Sequence, residues 1–124
     1  MAGKAYIGIS DWEAMKGRMH GIARRIDAGE QLPEGDYHLG FADAAQLLAE
    51  LPPRRLDTLR AIKAGGEVSI YAVAKGMGRN YSNVHADVQK LIEHGLVEKD
   101  ESGRVFVPWE DVIVRIDASL LRAA

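Results

Sequence analysis

The side chains best suited to chemistry lie in one polar run in the second half of the 124-residue chain. The run holds six uncharged hydrogen-bonding residues and two basic ones: Arg79, Asn80, Tyr81, Ser82, Asn83, His85, Gln89 and Lys90. Amide, hydroxyl and imidazole groups donate and accept hydrogen bonds, so this set can recognise the edge of a ligand without forming a covalent bond. The pattern therefore favours a binding surface over a catalytic site.

Reactive residues elsewhere do not form the constellations that catalysis or metal binding requires. The absence of cysteine excludes disulfides, thiolate metal sites and thiol nucleophiles. The histidines are scattered, at positions 20, 38, 85 and 94, and none has a carboxylate at a metal-ligand spacing. Gly76 and Gly78 lack the remainder of a phosphate-binding signature. We therefore expect a protein that is not an enzyme and uses no metal or other cofactor.

The spacing of hydrophobic residues predicts the elements that position the polar run. In order, these are a helix over 54–64, a short helix that Ser69 caps, a longer helix over about 80–94, and a β-hairpin over 96–107. The apolar residues of the longer helix fall on one side of a helical wheel: Val84, Val88, Leu91 and Ile92. The polar run therefore occupies the opposite, outward side.

This order of elements is that of a DNA-binding motif. The glycine-containing segment 76–79 supplies the tight turn that a helix-turn-helix needs between its short and long helices. The hairpin carries Lys99 and Arg104 on either side of its tip, where a wing would meet the DNA backbone or minor groove. We predict an α+β, mainly helical fold, with a winged helix-turn-helix over residues 53–117. In this arrangement helix 80–94 enters the major groove of double-stranded DNA and hairpin 96–107 lies on the backbone.

The block GRNYSNVHADVQKLIEHGLVE, residues 78–98, resembles small bacterial and archaeal winged helix-turn-helix regulators of the MarR-like group. The resemblance extends over residues 53–117 and implies a transcriptional regulator whose dimers bind inverted repeats. It implies that the DNA contacts come from Arg79, Asn80, Tyr81, Ser82, Asn83, His85 and Gln89. It also implies that some such regulators act as the antitoxin of a neighbouring toxin. From the elements alone we add Ser69, Lys90, Lys99 and Arg104 to the DNA-binding set.

Several residues of this set have an alternative structural role. Asn80 is better suited to capping its helix than to contacting a base. Tyr81 suits core packing and phosphate contact equally, and His85 lies at the edge of the polar side. Ser82, Asn83 and Gln89 have no packing role on the wheel, so we expect them to contact DNA.

The distribution of charge bears on how such a protein would bind a polyanion. The formal net charge is −2. Residues 1–53 hold five basic and eight acidic side chains, whereas residues 54–104 hold nine basic and seven acidic. The basic surplus lies in the predicted motif but is small, and phosphate neutralisation supplies much of DNA affinity. A homodimer would double the phosphate contacts.

The segment 1–52 is predicted to be an extension with strands near 5–10 and 37–41 and helices over about 11–28 and 42–51. The first helix carries an apolar stripe that we expect to mediate dimerisation in preference to packing on the winged domain: Trp12, Met15, Met19, Ile22 and Ile26. Leu47, Leu48 and Leu51 are expected to face inward. A strand over 111–117 would pair with residues 6–9 of the same or another chain, and residues 118–124 form a tail.

A second hypothesis comes from the acidic N-terminal half, which a basic partner protein could bind. Under that hypothesis the chain is a protein-interaction module, for instance an antitoxin that sequesters its toxin. The N-terminal residues show no secretory signal, and no apolar run approaches the roughly 20 residues needed to cross a membrane. We therefore expect a cytoplasmic protein.

Overall fold

The computed structural model describes residues 3–9, 20, 21, 24, 27, 29, 35–117 and 119–121. Its elements in chain order are β1 (Ala5–Ile9), β2 (Tyr37–Phe41), α1 (Ala44–Glu50), α2 (Pro53–Gly65), α3 (Ile70–Met77), α4 (Tyr81–Glu93), β3 (Glu98–Lys99), β4 (Val105–Phe106) and β5 (Val112–Val114). The protein is therefore α+β, as the sequence predicts. None of the described helices is long and apolar enough to cross a membrane.

The chain divides into two compact units. The sheet unit comprises Met1–Leu47 and Asp111–Ala124, and the helical unit comprises Leu48–Glu110. The sequence-based boundaries, at 52/53 and after 117, differ from this division. The difference at the C-terminal end arises because strand β5 pairs within the sheet unit, although it follows the hairpin directly in the chain.

The sheet unit is built on three parallel strands in the order β2-β1-β5. Ala5 of β1 lies opposite Tyr37 of β2 and Val112 of β5. Ala5 and Ile7 are buried, as the central strand of a parallel sheet requires, while the rings of Tyr6 and His38 stack 5.2 Å apart on the other face. The alternative that the sequence left open is thus resolved, because β5 pairs with β1 of its own chain.

The connection between β1 and β2 is described at a few positions only. His20, Gly21, Arg24 and Asp27 have helical backbone, in agreement with the helix predicted there. The predicted dimerisation residues lie outside the described residues: Trp12, Met15, Met19, Ile22 and Ile26.

Helix α1 begins after Asp43, whose side chain accepts a hydrogen bond from the Gln46 N–H at 2.8 Å. Leu47 and Leu51 are buried, but Leu48 is 52% exposed, so the prediction that Leu48 faces inward is wrong. Consecutive helical residues point about 100° apart, and burial of Leu47 turns Leu48 away from the core. Pro53 then occupies the first turn of α2, where a proline costs the helix no hydrogen bond.

The helical unit packs α2, α3 and α4 around one apolar core. The core residues of these helices are Leu59, Ile62, Ile70, Val73, Ala74, Val84, Val88 and Leu91. The β3–β4 hairpin adds Val105, whose backbone also exchanges two hydrogen bonds with Val68, the residue before the cap of α3. These hydrogen bonds hold the hairpin against the start of α3. The hairpin is shorter than the sequence predicts, because only two residues pair on each strand.

The turn between α3 and α4 depends on Gly78. Its φ of 64° is left-handed, and its N–H donates to the Lys75 carbonyl at 3.2 Å while the N–H of Arg79 donates to the Ala74 carbonyl at 3.0 Å. This is a usual way to end a helix, and glycine adopts it without a steric penalty. The turn then delivers Asn80 to the start of α4.

The two glycines of this turn offer a matched test. Apart from the adjoining residues and the local helix backbone, no described atom lies within 4 Å of a Cβ built at Gly78 or Gly76, so packing does not separate the two positions. Gly78→Ala should lower the free energy of unfolding by about 1 kcal/mol because alanine is strained at positive φ. Gly76→Ala, within α3, should raise it by about 0.5–1 kcal/mol. Urea unfolding followed by circular dichroism measures both, and equal effects would contradict this description of the turn.

Candidate nucleic-acid interface

Helix α4 has two chemically different faces. Val84, Asp87, Val88 and Leu91 are buried on one face. Described residues of the polar run lie on the other: Ser82, Asn83 and Lys90 are exposed, and His85 and Gln89 are half-buried. The helix wheel therefore predicted the outward side correctly, although Gln89 is less accessible than Ser82 and Asn83.

Two residues of the predicted DNA-binding set are helix caps. The side-chain oxygen of Asn80 accepts a hydrogen bond from the Ser82 N–H at 2.8 Å. The hydroxyl of Ser69 accepts one from the Ala72 N–H at 3.0 Å. Both capping predictions are confirmed, and both oxygens already have a backbone partner that would compete with a base or phosphate.

Aromatic side chains flank the start of α4. Tyr81 is 49% exposed and its ring lies 5.8 Å from that of His85, with the planes tilted by 34°. Tyr81 therefore belongs to the outer surface and not to the core. Tyr71 on α3 is 64% exposed, and sequence reasoning did not select it. The sequence does contain a pattern that indicates this exposure. Tyr71 follows the apolar Ile70 in a helix, so its side chain points about 100° away from that of Ile70 and from the core.

Beneath the outward face of α4 lies the Asp87 cluster, made of Asp87, Arg55, Thr58 and Arg79. Arg55 Nε is 3.1 Å from Asp87 Oδ1, and Arg79 Nη1 is 2.8 Å from Asp87 Oδ2. Arg79 Nη1 also donates to the Thr58 hydroxyl at 2.8 Å, and that hydroxyl lies 3.1 Å from Asp87 Oδ2. The carboxylate thus joins α2, the turn and α4 at one point.

The cluster changes the role of Arg79. The resemblance to winged helix-turn-helix regulators implies that Arg79 contacts DNA, whereas its side chain is only 16% exposed and its Nη1 is held by Asp87 and Thr58. A guanidinium that is engaged in this way neutralises an internal carboxylate and not a phosphate. Arg79 therefore belongs to the framework that positions Asn80 and the residues after it.

The charge on Asp87 is stabilised by its partners. Burial raises the pKa of the Asp87 carboxyl, but the hydrogen bonds from Arg79, Arg55 and Thr58 outweigh burial and hold that pKa below its ordinary value. Sequence reasoning missed this residue. Asp87 lies between Val84 and Val88 on the apolar side of the wheel, and an acidic residue there signals a buried ion pair.

The hairpin tip is organised by Asp100. Its Oδ1 accepts hydrogen bonds from the Ser102 hydroxyl at 2.7 Å, the Ser102 N–H at 2.9 Å and the Arg104 N–H at 3.0 Å. The hydrogen bond from the Ser102 side chain is the main reason that the pKa of Asp100 lies below its ordinary value. Lys99 and Arg104 are exposed on either side of this tip, where the sequence predicts them.

Two further basic side chains of the helical unit, those of Lys90 and Lys63, have partners. Lys90 Nζ is 3.4 Å from Glu93 Oε2 on the surface of α4. Lys63 Nζ donates to the Trp109 carbonyl at 2.6 Å, and the Trp109 indole N–H donates to the Gly95 carbonyl at 2.9 Å.

Within the described part of the chain, no group of three or more His, Asp or Glu residues is arranged to hold a metal ion.

The Asp87 cluster predicts a large and pH-dependent effect of one substitution. Asp87→Asn should lower the free energy of unfolding at neutral pH by about 3 kcal/mol, because two largely buried guanidinium groups lose their counter-ion. The folded-state pKa of Asp87 is depressed, so its contribution is complete above about pH 4 and is lost as the pH falls through the folded-state value. The difference in the free energy of unfolding between wild type and Asp87→Asn, measured by denaturant unfolding, should become smaller below about pH 4.

Asp57→Asn is the matched control. Asp57 pairs with Arg60 at 2.6 Å, but the two side chains are 54% and 81% exposed. Asp57→Asn should lower the free energy of unfolding by less than about 0.5 kcal/mol, because solvent screens such an exposed ion pair. Equal costs for the two substitutions would contradict a structural role for the Asp87 cluster.

Comparison with known proteins identifies one relationship. No curated protein and no solved structure matches the chain. One family model, HVO_A0114, matches residues 50–114, which is just over half of the chain. The match begins at the last residue of α1 and runs through the three helices, the hairpin and β5. The chain therefore belongs to the HVO_A0114 family.

Proposed function

We propose that this protein is a sequence-specific regulator that binds double-stranded DNA as a homodimer. In this proposal the helical unit is a winged helix-turn-helix. Helix α4 is the recognition helix in the major groove, and the β3–β4 hairpin is the wing on the DNA backbone. Ser82 and Asn83 contact base edges, and Lys99 and Arg104 contact phosphates.

The observation that carries the proposal is the absence of a carboxylate from the exposed start of α4. The first two turns expose Tyr81, Ser82 and Asn83, all uncharged donors and acceptors. The acidic residue at this end, Asp87, is buried at 6% exposure and bonded to two arginines. This combination favours a helix face that hydrogen-bonds to bases while close to phosphates, because phosphates repel an exposed carboxylate.

The order of elements in the helical unit gives independent support. Helix α2 is followed by the Val68–Val105 bridge, then by α3, a left-handed glycine turn, α4 and a hairpin. A helix-turn-helix needs two consecutive helices joined by a short turn, and the segment between α3 and α4 is Gly78, Arg79 and Asn80. The hairpin that follows carries two exposed basic residues, as a wing would.

The internal pairing of Arg55 and Arg79 has a consequence for affinity. The cluster of two arginines and one carboxylate keeps one net positive charge, but both guanidinium groups are largely buried against Asp87, so neither is presented for direct phosphate contact. Each phosphate contact contributes about one unit to the slope of log affinity against log salt. We therefore expect one subunit to bind DNA weakly and with a shallow salt slope, and two subunits to be needed for stable binding.

Selection from a pool of random-sequence duplexes tests the proposal. Enriched duplexes should bind the full chain at least about tenfold more tightly than shuffled duplexes in a fluorescence-anisotropy titration, since each correct base pair contributes about 1–3 kcal/mol. Failure to enrich any sequence, or equal affinity for enriched and shuffled duplexes, would contradict the proposal.

Two substitutions separate base contact from phosphate contact. Asn83→Ala should reduce affinity for the enriched duplex by about 1–3 kcal/mol and leave binding to shuffled duplex unchanged. Arg104→Ala should weaken binding to both duplexes alike and lower the salt slope by about one unit. Anisotropy titrations at several salt concentrations measure both quantities. An Asn83→Ala variant with intact discrimination would remove Asn83 from the recognition surface.

A further inference from the structure

Strand β5 forms one edge of the parallel sheet. It pairs with β1 on one side, and no other described strand pairs with its outer side. The backbone of an edge strand presents unpaired donors and acceptors that can pair with another chain. The backbone groups and charged side chains along β5 indicate which strand would pair with it.

The hydrogen bonds of the sheet show which β5 groups point outward. The Asp111 carbonyl accepts from the Ala5 N–H at 2.9 Å, and the Arg115 N–H donates to the Ile7 carbonyl at 2.8 Å. Backbone groups of alternate residues face opposite sides of a strand, so those of Ile113 also face β1. The N–H and carbonyl groups of Val112 and Val114 therefore face away from the sheet.

Side chains at this edge are also exposed to an unusual degree for apolar residues. Val114 is 38% exposed and Ile116 is 46% exposed. Leu120 and Leu121, a few residues further along the same unit, are more exposed still. An apolar edge of this kind promotes association unless it is covered.

We propose that β5 pairs with β5 of a second copy of this chain, antiparallel about a two-fold axis at Ile113. In that register Val112 lies opposite Val114 of the second copy, so the outward N–H and carbonyl groups of both residues are paired. Asp111 lies opposite Arg115 of the second copy, and by symmetry Arg115 lies opposite its Asp111. Both charged residues are exposed in the single chain, and opposite charges at facing positions stabilise such a pair.

The neighbouring registers are worse on the same criteria. With the axis at Val112, Asp111 would face Ile113 and Arg115 would face Trp109, so no pair of opposite charges would form. A shift by one position would place Val112 opposite Arg115, whose N–H already donates to Ile7 within the sheet. A shift by two, centred on Val114, would place Asp111 opposite Asp117 of the second copy, and like charges at facing positions are destabilising. The strand and its flanks, DVIVRID, are therefore self-complementary in one register.

One bond is exchanged when the strands pair. In the single chain the Val112 N–H donates to the Asp111 side chain at 2.8 Å. Pairing replaces this acceptor with the Val114 carbonyl of the second copy and frees the Asp111 carboxylate for Arg115 of that copy. The interface involves only residues of the sheet unit, so this proposal does not depend on DNA binding.

Charge exchange tests the proposal in the full chain without DNA. Asp111→Arg and Arg115→Asp each place like charges opposite one another, so each should raise the dimer dissociation constant by at least about tenfold in sedimentation equilibrium. The double variant Asp111→Arg/Arg115→Asp restores opposite charges and should return the constant to within about threefold of wild type. Asp117→Arg, which makes the same charge change beyond the paired residues, should leave it unchanged.

Amide hydrogen exchange of the wild-type chain gives a second measurement that needs no variant. Protection of the Val114 amide should increase with protein concentration, whereas the Ile7 amide, which faces β5 within one chain, should be protected throughout. The proposal is overturned if the chain is monomeric at every concentration, or if the single variants dimerise like wild type. A double variant as weak as the singles, or Val114 exchange that does not depend on concentration, would overturn it as well. If the variants fail to fold, the exchange measurement decides.

Discussion

The ion cluster around Asp87 is the interaction on which the helical unit depends. One carboxylate accepts from Arg55 on α2, Thr58 on α2 and Arg79 in the turn, while its own backbone belongs to α4. An apolar core alone allows helices to slide or rotate at small cost, whereas hydrogen bonds with fixed partners specify one arrangement. The cluster therefore sets the orientation in which α4 presents its outward face.

The same cluster separates structure from recognition along a single helix. Charge is confined to the inner face of α4 near its start, and the outer face there is left with Tyr81, Ser82 and Asn83. Under the proposed function, this separation would favour selectivity over general attraction to DNA, because Asp87 holds Arg55 and Arg79 inside the unit. Pairing of two chains through β5 would compensate by joining two such faces in one assembly.

Local sequence patterns predicted the helices and their caps well. Contacts between residues far apart in the sequence could not be predicted in this way. Ser69 and Asn80 are recognisable as caps because a cap is decided within three residues, and the apolar side of α4 follows from its periodicity. The partners of Asp87 lie 8, 29 and 32 residues away, so no local pattern connects them. The assignment of β5 to the sheet unit, and hence the domain boundaries, likewise required knowledge of its pairing with β1.

The most direct test of the central claim, that the outward start of α4 is a DNA-binding face, is an amide NMR titration. The ¹⁵N-labelled full chain would be titrated with an enriched duplex. If α4 is the DNA-binding face, the largest shift changes should fall on Ser82, Asn83 and Ala86 and on the hairpin around Lys99 and Arg104. Largest changes on β1 and β2 of the sheet unit, with α4 unaffected, would contradict it.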